Sequence, residues 1–178
     1  MVLKAETKEF KRELISADQH IAVVVGIWSI GKQRTSFEGV DKIITQCILL
    51  FEVDELYEEG EVKGKHMTIA KWYTQSLSSK ANLKKSVESF IGKELLEDEI
   101  KDFDLESIIG KTCLLDIIHK NDKVKINQVS KLPKALTPFK PDNLYINQTP
   151  DWVKKIQESA VNEEEEKADK VEKGLCLD

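Results

Sequence analysis

Three short stretches of this chain combine cations with aromatic or amide side chains in a way that suits a polyanion carrying flat rings. The first holds Lys32, Gln33, Arg34 and Phe37, with Lys42 just beyond it. The second is Lys71, Trp72 and Tyr73, and the third is Lys120, Lys123 and Lys125. Lysine and arginine follow a line of phosphates, while exposed rings stack on bases at about 1–3 kcal/mol per base with little sequence preference. Trp28, inside an apolar run, is a further candidate ring. The chemistry these residues predict is sequence-independent binding of a single strand, with contacts from Trp28, the first and second stretches, Lys42 and the third stretch.

Catalysis has no comparable support in the sequence. The chain lacks the phosphate-cradling GxxxxGK[ST], the metal-binding HExxH and the nucleophile turn GxSxG. His20, His66 and His119 are far apart in sequence, and Cys47, Cys113 and Cys176 form no CxxC pair. The reading is therefore a non-enzyme with no metal and no cofactor. Cys47 and Cys113 lie within apolar runs, where a free thiol behaves as a small hydrophobe.

The net charge of −5 is unevenly placed. From Glu158 to Asp178 there are eight acidic residues and three lysines, so this segment alone carries −5 and the other 157 residues are neutral. An acidic total is then no obstacle to a body that binds an anion through clustered cations. The longest apolar runs, Ile21 to Trp28 and Cys47 to Phe51, fall far short of the ~20 residues that span a bilayer, and the first 20 residues are studded with charge. These features predict a cytoplasmic protein.

The elements that must hold the three stretches follow from periodicity. Residues 1–20 read as a partly ordered arm. Ile21 to Ile30 is a β-branched central strand with Gly26 at a bend or bulge. Gly31 to Asp41 is a loop or loose ribbon, and Lys42 to Asp54 is a second strand with two largely apolar faces. Lys65 to Leu77 is a third strand, in which alternation exposes one of Trp72 and Tyr73; sharing a face with Lys71 and Gln75 favours Tyr73. A helical insert follows, with Ser78 or Ser79 as N-cap, Leu83, Val87, Phe90 and Ile91 on one face, and Gly92 as its stop. A second short helix carries Leu96, Ile100 and Phe103, and Asp104 caps a last turn before Gly110. Lys111 to Lys120 and Lys123 to Lys131 are strands joined by Asn121 and Asp122, which tolerate the positive φ of a two-residue hairpin turn. Four prolines then punctuate an extended segment, Asp151 to Val161 forms a short helix, and the rest has the composition of a disordered acidic tail.

Three strands, a helical link and two strands is the order of the OB-fold, a five-stranded Greek-key barrel. That fold binds oligonucleotides on the face of its second and third strands, between the first and last hairpin loops. The predicted organisation is an arm at 1–20, the OB-type domain with its C-terminal extension at 21–157, and a tail at 158–178.

Residues Tyr73 to Leu114 resemble a family of phage and prophage replication-associated proteins thought to bind single-stranded DNA. The resemblance is carried by YTQSL at Tyr73, SKANLKK at Ser79, VESFIGK at Val87, FDLESIIGKTCLL at Phe103 and the following IIHK. Members often have tryptophan and arginine where this chain has Phe90 and Ile91. The resemblance implies an OB-type barrel that binds single-stranded DNA in phage replication or recombination, in the host cytoplasm. It also bears on the tail, because bacterial-type single-strand binders recruit replication proteins through a flexible acidic end with an apolar tip. Glu163, Glu164, Glu165 and Glu166 with Leu175 and Leu177 look like a version of that end, without a terminal Phe. A protein-interaction barrel that recruits replication or nuclease partners, and an RNA-binding OB domain, are the alternatives.

Overall fold

The computed structural model describes residues 12–172. Its frame is a five-stranded antiparallel sheet in the order β3-β2-β1-β4-β5. The strands are β1 (Gln19–Phe37), β2 (Val40–Leu56), β3 (His66–Thr74), β4 (Thr112–Lys120) and β5 (Lys123–Lys131). Between β3 and β4 lie α1 (Asn82–Ile91), α2 (Glu97–Lys101) and a 3-10 turn at Leu105–Ile108, and after β5 come α3 (Asp151–Glu158) and α4 (Glu163–Glu172). The protein is mainly β, with the helical link where the sequence predicts it.

β1 and β2 are longer than the apolar runs suggest. They pair without a loop from Ala22↔Val53 to Phe37↔Val40, so residues 31–41 form an extended two-stranded ribbon. Glu38 and Gly39 turn its tip, both at positive φ. The pairing slips between Val24 and Gly26 and again between Ser29 and Gly31. Gly26 makes room for an indole: a Cβ there would lie 2.3 Å from Cη2 of Trp28. The second hairpin turns on Asn121 and Asp122, both at positive φ as expected.

Two apolar clusters lie on opposite faces of the sheet. The inner one gathers Val24, Cys47, Leu49, Phe51, Tyr73, Cys113 and Leu115 beneath Leu83, Val87 and Phe90 of α1. Helical spacing puts the three α1 residues on one stripe, and Phe90 meets Phe51 at 6.2 Å between ring centroids. Gly92 closes α1 in the left-handed conformation. The helix begins one turn later than the serines suggest: Ala81 is its N-cap, because the Ser78 carbonyl accepts from the Ala81 N–H and holds 78–81 as a turn. Asp104 caps the 3-10 turn by accepting from the Glu106 N–H.

The outer cluster comprises Val23, Val25, Trp28, Ile30, Ile48, Leu50 and Val153, with Phe139, Leu144, Tyr145 and Ile156 laid over it. The proline-punctuated segment 133–150 is therefore a strap across the outer face, and α3 continues it. The bulges help to seat this cover. The Val25 carbonyl, at the first slip, accepts from the Tyr145 N–H at 2.8 Å, and the Ser29 carbonyl, at the second, accepts from Gln157 Nε2 at 2.8 Å. Part of the predicted arm is also packed: Ile15 is buried in the inner cluster, and its carbonyl lies 2.7 Å from His119 Nε2.

Candidate nucleic-acid interface

On β3 the side chains alternate strictly, but opposite to expectation. Trp72 is 45 % exposed, while Tyr73 is 3 % exposed and shares a 2.9 Å hydrogen bond with Ser86 on α1. Burial pushes the Tyr73 phenol up to about 12. Lys71 did not signal a wet face. Its stem is half-buried on the inner side and its Nζ sits 5.3 Å from the centre of the Tyr73 ring, where desolvation lowers the ammonium pKa. A lysine can line a core provided that its head escapes, so sharing a face with Lys71 does not put Tyr73 in water.

Trp28 is a second correction. At 7 % exposure it stacks on nothing from outside. Its Nε1 donates to the Gln148 carbonyl at 2.8 Å, and its ring meets Tyr145 and Trp152 edge-on at 5.6 and 5.9 Å. It anchors the strap.

The ribbon carries Lys32, Gln33, Arg34, Phe37 and Lys42, and Phe37 at its tip is 71 % exposed. Two of its three cations are already engaged. Lys32 Nζ donates to Glu166 and Arg34 donates to Asp169, both on α4. Gln33 turns back to donate to the Ile30 carbonyl at 2.8 Å. The hydrogen bond that Lys32 donates to Glu166 raises the Lys32 pKa, and the same bond, with a second from Lys170, lowers that of Glu166.

This contact overturns a tail that is disordered from Glu158 onwards. Asn162 caps α4 by accepting from the Glu165 N–H at 2.8 Å, while Glu165 accepts from the Asn162 N–H in return. Four glutamates then fill the first turn, where the helix dipole favours negative charge. The Val161 N–H donates to the Lys32 carbonyl at 2.8 Å, tying the chain to the ribbon just before the helix. Composition alone concealed this order because the stabilising cations are more than 130 residues away. Leu175 and Leu177 lie outside the described residues, as does Cys176.

The structure does not bring the three predicted stretches onto one face: on β3 Trp72 points outward, on the side of its partner Ile48, while Lys71 and Tyr73 point inward, and the ribbon and the β4–β5 turn lie towards opposite ends of β1. Trp72 pairs with Ile48 and Arg34 with Ile43, so five residues of β2, about 17 Å, separate the exposed ring from the ribbon cation. β4 pairs only with the first residues of β1, Gln19 to Val23, which carries the β4–β5 turn to the end of β1 away from the ribbon tip. There Asp122 and Lys123 share a recess of about 680 Å³ with Arg12, Thr68 and Ala70. Lys120, Lys123 and Lys125 are exposed and make no ion pair among the described residues.

Trp72 itself lines a separate recess of about 420 Å³, together with Gln46, Lys71, Thr74, Ser78 and Lys80. Lys80 and Gln46 were missed by the sequence reading, although Lys80 stands only eight residues after Trp72. Trp152, 40 % exposed beside Trp28, was also missed, since nothing in its local sequence connects α3 to the sheet. No family model, curated protein or solved structure matches this chain. No helix among the described residues is long and apolar enough to cross a membrane.

Proposed function

We propose that this is a sequence-independent single-stranded-DNA-binding protein that acts without catalysis, built on an OB-type Greek-key barrel. The observation that carries the reading is Trp72, a ring held out from β3 that lines a polar recess together with Lys71 and Lys80. A strand laid between the hairpin and the ribbon would stack a base on Trp72 and place its phosphates near Lys123, Lys80 and Lys42. The strand order and the helical link between β3 and β4 support the barrel reading. The resemblance of Tyr73 to Leu114 to phage replication proteins supplies the setting, phage DNA replication or recombination in the host cytoplasm.

Lys32 and Arg34 can join this path only if Glu166 and Asp169 give way. A labelled oligothymidine titrated with the full chain tests the reading by anisotropy. Affinity should fall linearly with log salt, and Trp72→Ala should weaken binding roughly 5- to 100-fold. Removing residues 163–178 should tighten binding at low salt. Salt-independent binding, or an unchanged Trp72→Ala, would sink the proposal. The exposed apolar tip formed by Phe37 and Val40 favours a protein-docking role as the second reading. Loss of a partner, but not of DNA, on Phe37→Ser would select it.

A further inference from the structure

Three side chains from three separate elements converge at the edge of the outer face. Glu52 lies near the end of β2, His66 begins β3, and Asp142 belongs to the strap. One donor atom from each lies within 4.8 Å of the others. His66 Nδ1 is 3.2 Å from Oδ2 of Asp142 and 4.0 Å from Oε2 of Glu52.

The histidine is the informative member. Its Nδ1 is buried and has no hydrogen-bond partner, despite the two carboxylates beside it. His20 shows the ordinary alternative in the same protein: its Nδ1 lies 2.9 Å from Asp54 and its Nε2 2.9 Å from the Ser16 carbonyl, so both nitrogens are satisfied. A buried ring nitrogen left unpaired costs free energy that a ligand could recover.

The surrounding bonds hold the donors in place. Glu52, only 5 % exposed, accepts from the Asp142 N–H at 2.7 Å and the Asn143 N–H at 3.2 Å. Asp142 accepts from the His66 N–H at 2.6 Å, and the His66 ring stacks on Phe139 with centroids 4.2 Å apart. Each carboxylate oxygen in the cluster keeps lone-pair capacity after its backbone bond. Two carboxylates facing an imidazole form an anionic pocket in which no lysine or arginine is paired among the described residues.

We propose that Glu52, His66 and Asp142 hold one divalent cation of the zinc class, which fastens the strap to the sheet. One imidazole and two carboxylates suit such a borderline ion better than a purely oxygen-seeking one. Bonds of about 2.0–2.2 Å to a tetrahedral ion put donor atoms roughly 3.4 Å apart, within reach of the observed spacings after small side-chain rotations. Asp142, 38 % exposed, leaves an open side for water to complete the shell. The ion neutralises the pocket and links β2, β3 and the strap.

The test uses the full chain, stripped with a chelator and dialysed, and zinc chloride or manganese chloride alone as titrant. Calorimetry should find one zinc per chain, with manganese weaker, and zinc should raise the melting temperature. Asp142→Asn and His66→Gln should each weaken zinc binding at least about tenfold. In ¹⁵N spectra of the ring nitrogens, His66 should shift on zinc addition while His20 and His119 stay in place. If a substitution prevents folding, the wild-type ring spectra decide alone. Failure of the His66 ring to respond to zinc overturns the proposal, as does zinc affinity unchanged in both variants, which would locate the ion elsewhere.

Discussion

The two faces of the sheet are covered by different means. The inner face is closed by α1, which follows β3 directly in sequence and packs through an aliphatic and aromatic stripe. The outer face is closed by a strap arriving from more than 75 residues beyond β2, held by a single bond at a β-bulge, one indole N–H and a buried carboxylate. The first cover is continuous apolar packing; the second is a set of separate polar fastenings over a smaller apolar patch. The inner face should accordingly behave as the cooperative core, and the outer cover as a part that can loosen first.

Substitutions can break that contrast. The largest effect is expected for Phe51→Ala, which empties a fully buried site against Phe90 and should cost about 3–5 kcal/mol in global unfolding, read from denaturant midpoints. Trp28→Phe should cost less, roughly 1–3 kcal/mol, because it leaves the Gln148 carbonyl without its indole donor. Its signature should be faster protease cleavage within 133–150 while the sheet stays folded. Equal loss of sheet and strap protection would show that the two covers unfold as one unit.

The smallest effect, at its onset near pH 9, is an alkaline one confined to the inner face. Burial pushes the Cys47 and Cys113 thiols to about 12, as it does the Tyr73 phenol. All three are acids whose folded-state pKa is raised, so the unfolded chain ionises first, from about pH 9, while the folded chain keeps its protons. Stability should therefore be intact below pH 9 and fall as the pH rises from 9 towards 12. Cys47→Ala with Cys113→Ala should flatten that fall. At neutral pH both native thiols should resist a thiol-reactive disulfide until denaturant is added.

Much of the inner face is legible in the linear chain, because it is made by neighbours. The α1 stripe, the Gly92 stop, the Asp104 cap and the Asn121–Asp122 turn each depend on residues within a turn or two. The candidate interface is legible only as a set of residue types. Alternation requires one of Trp72 and Tyr73 to point out, but the choice falls to Ser86, which offers the phenol a buried partner, and to a lysine that tolerates the inner side. Trp28 reads as a ring of either kind until the strap arrives to cover it.

By itself the sequence determined the strand and helix order, the hairpin turn, the inner stripe and the segregation of negative charge after residue 158. These follow from local backbone preference and from periodicities of 2 and 3.6 residues. Tertiary structure alone decided that the acidic segment becomes a capped helix against Lys32 and Arg34, that Trp28 is an anchor, and that Glu52, His66 and Asp142 meet. Each of these depends on partners 14 to more than 130 residues apart, and no local rule of spacing encodes such contacts. The physical reason is that charge pairing, ring burial and ligand convergence depend on distance in space, which the chain sets only once it has folded.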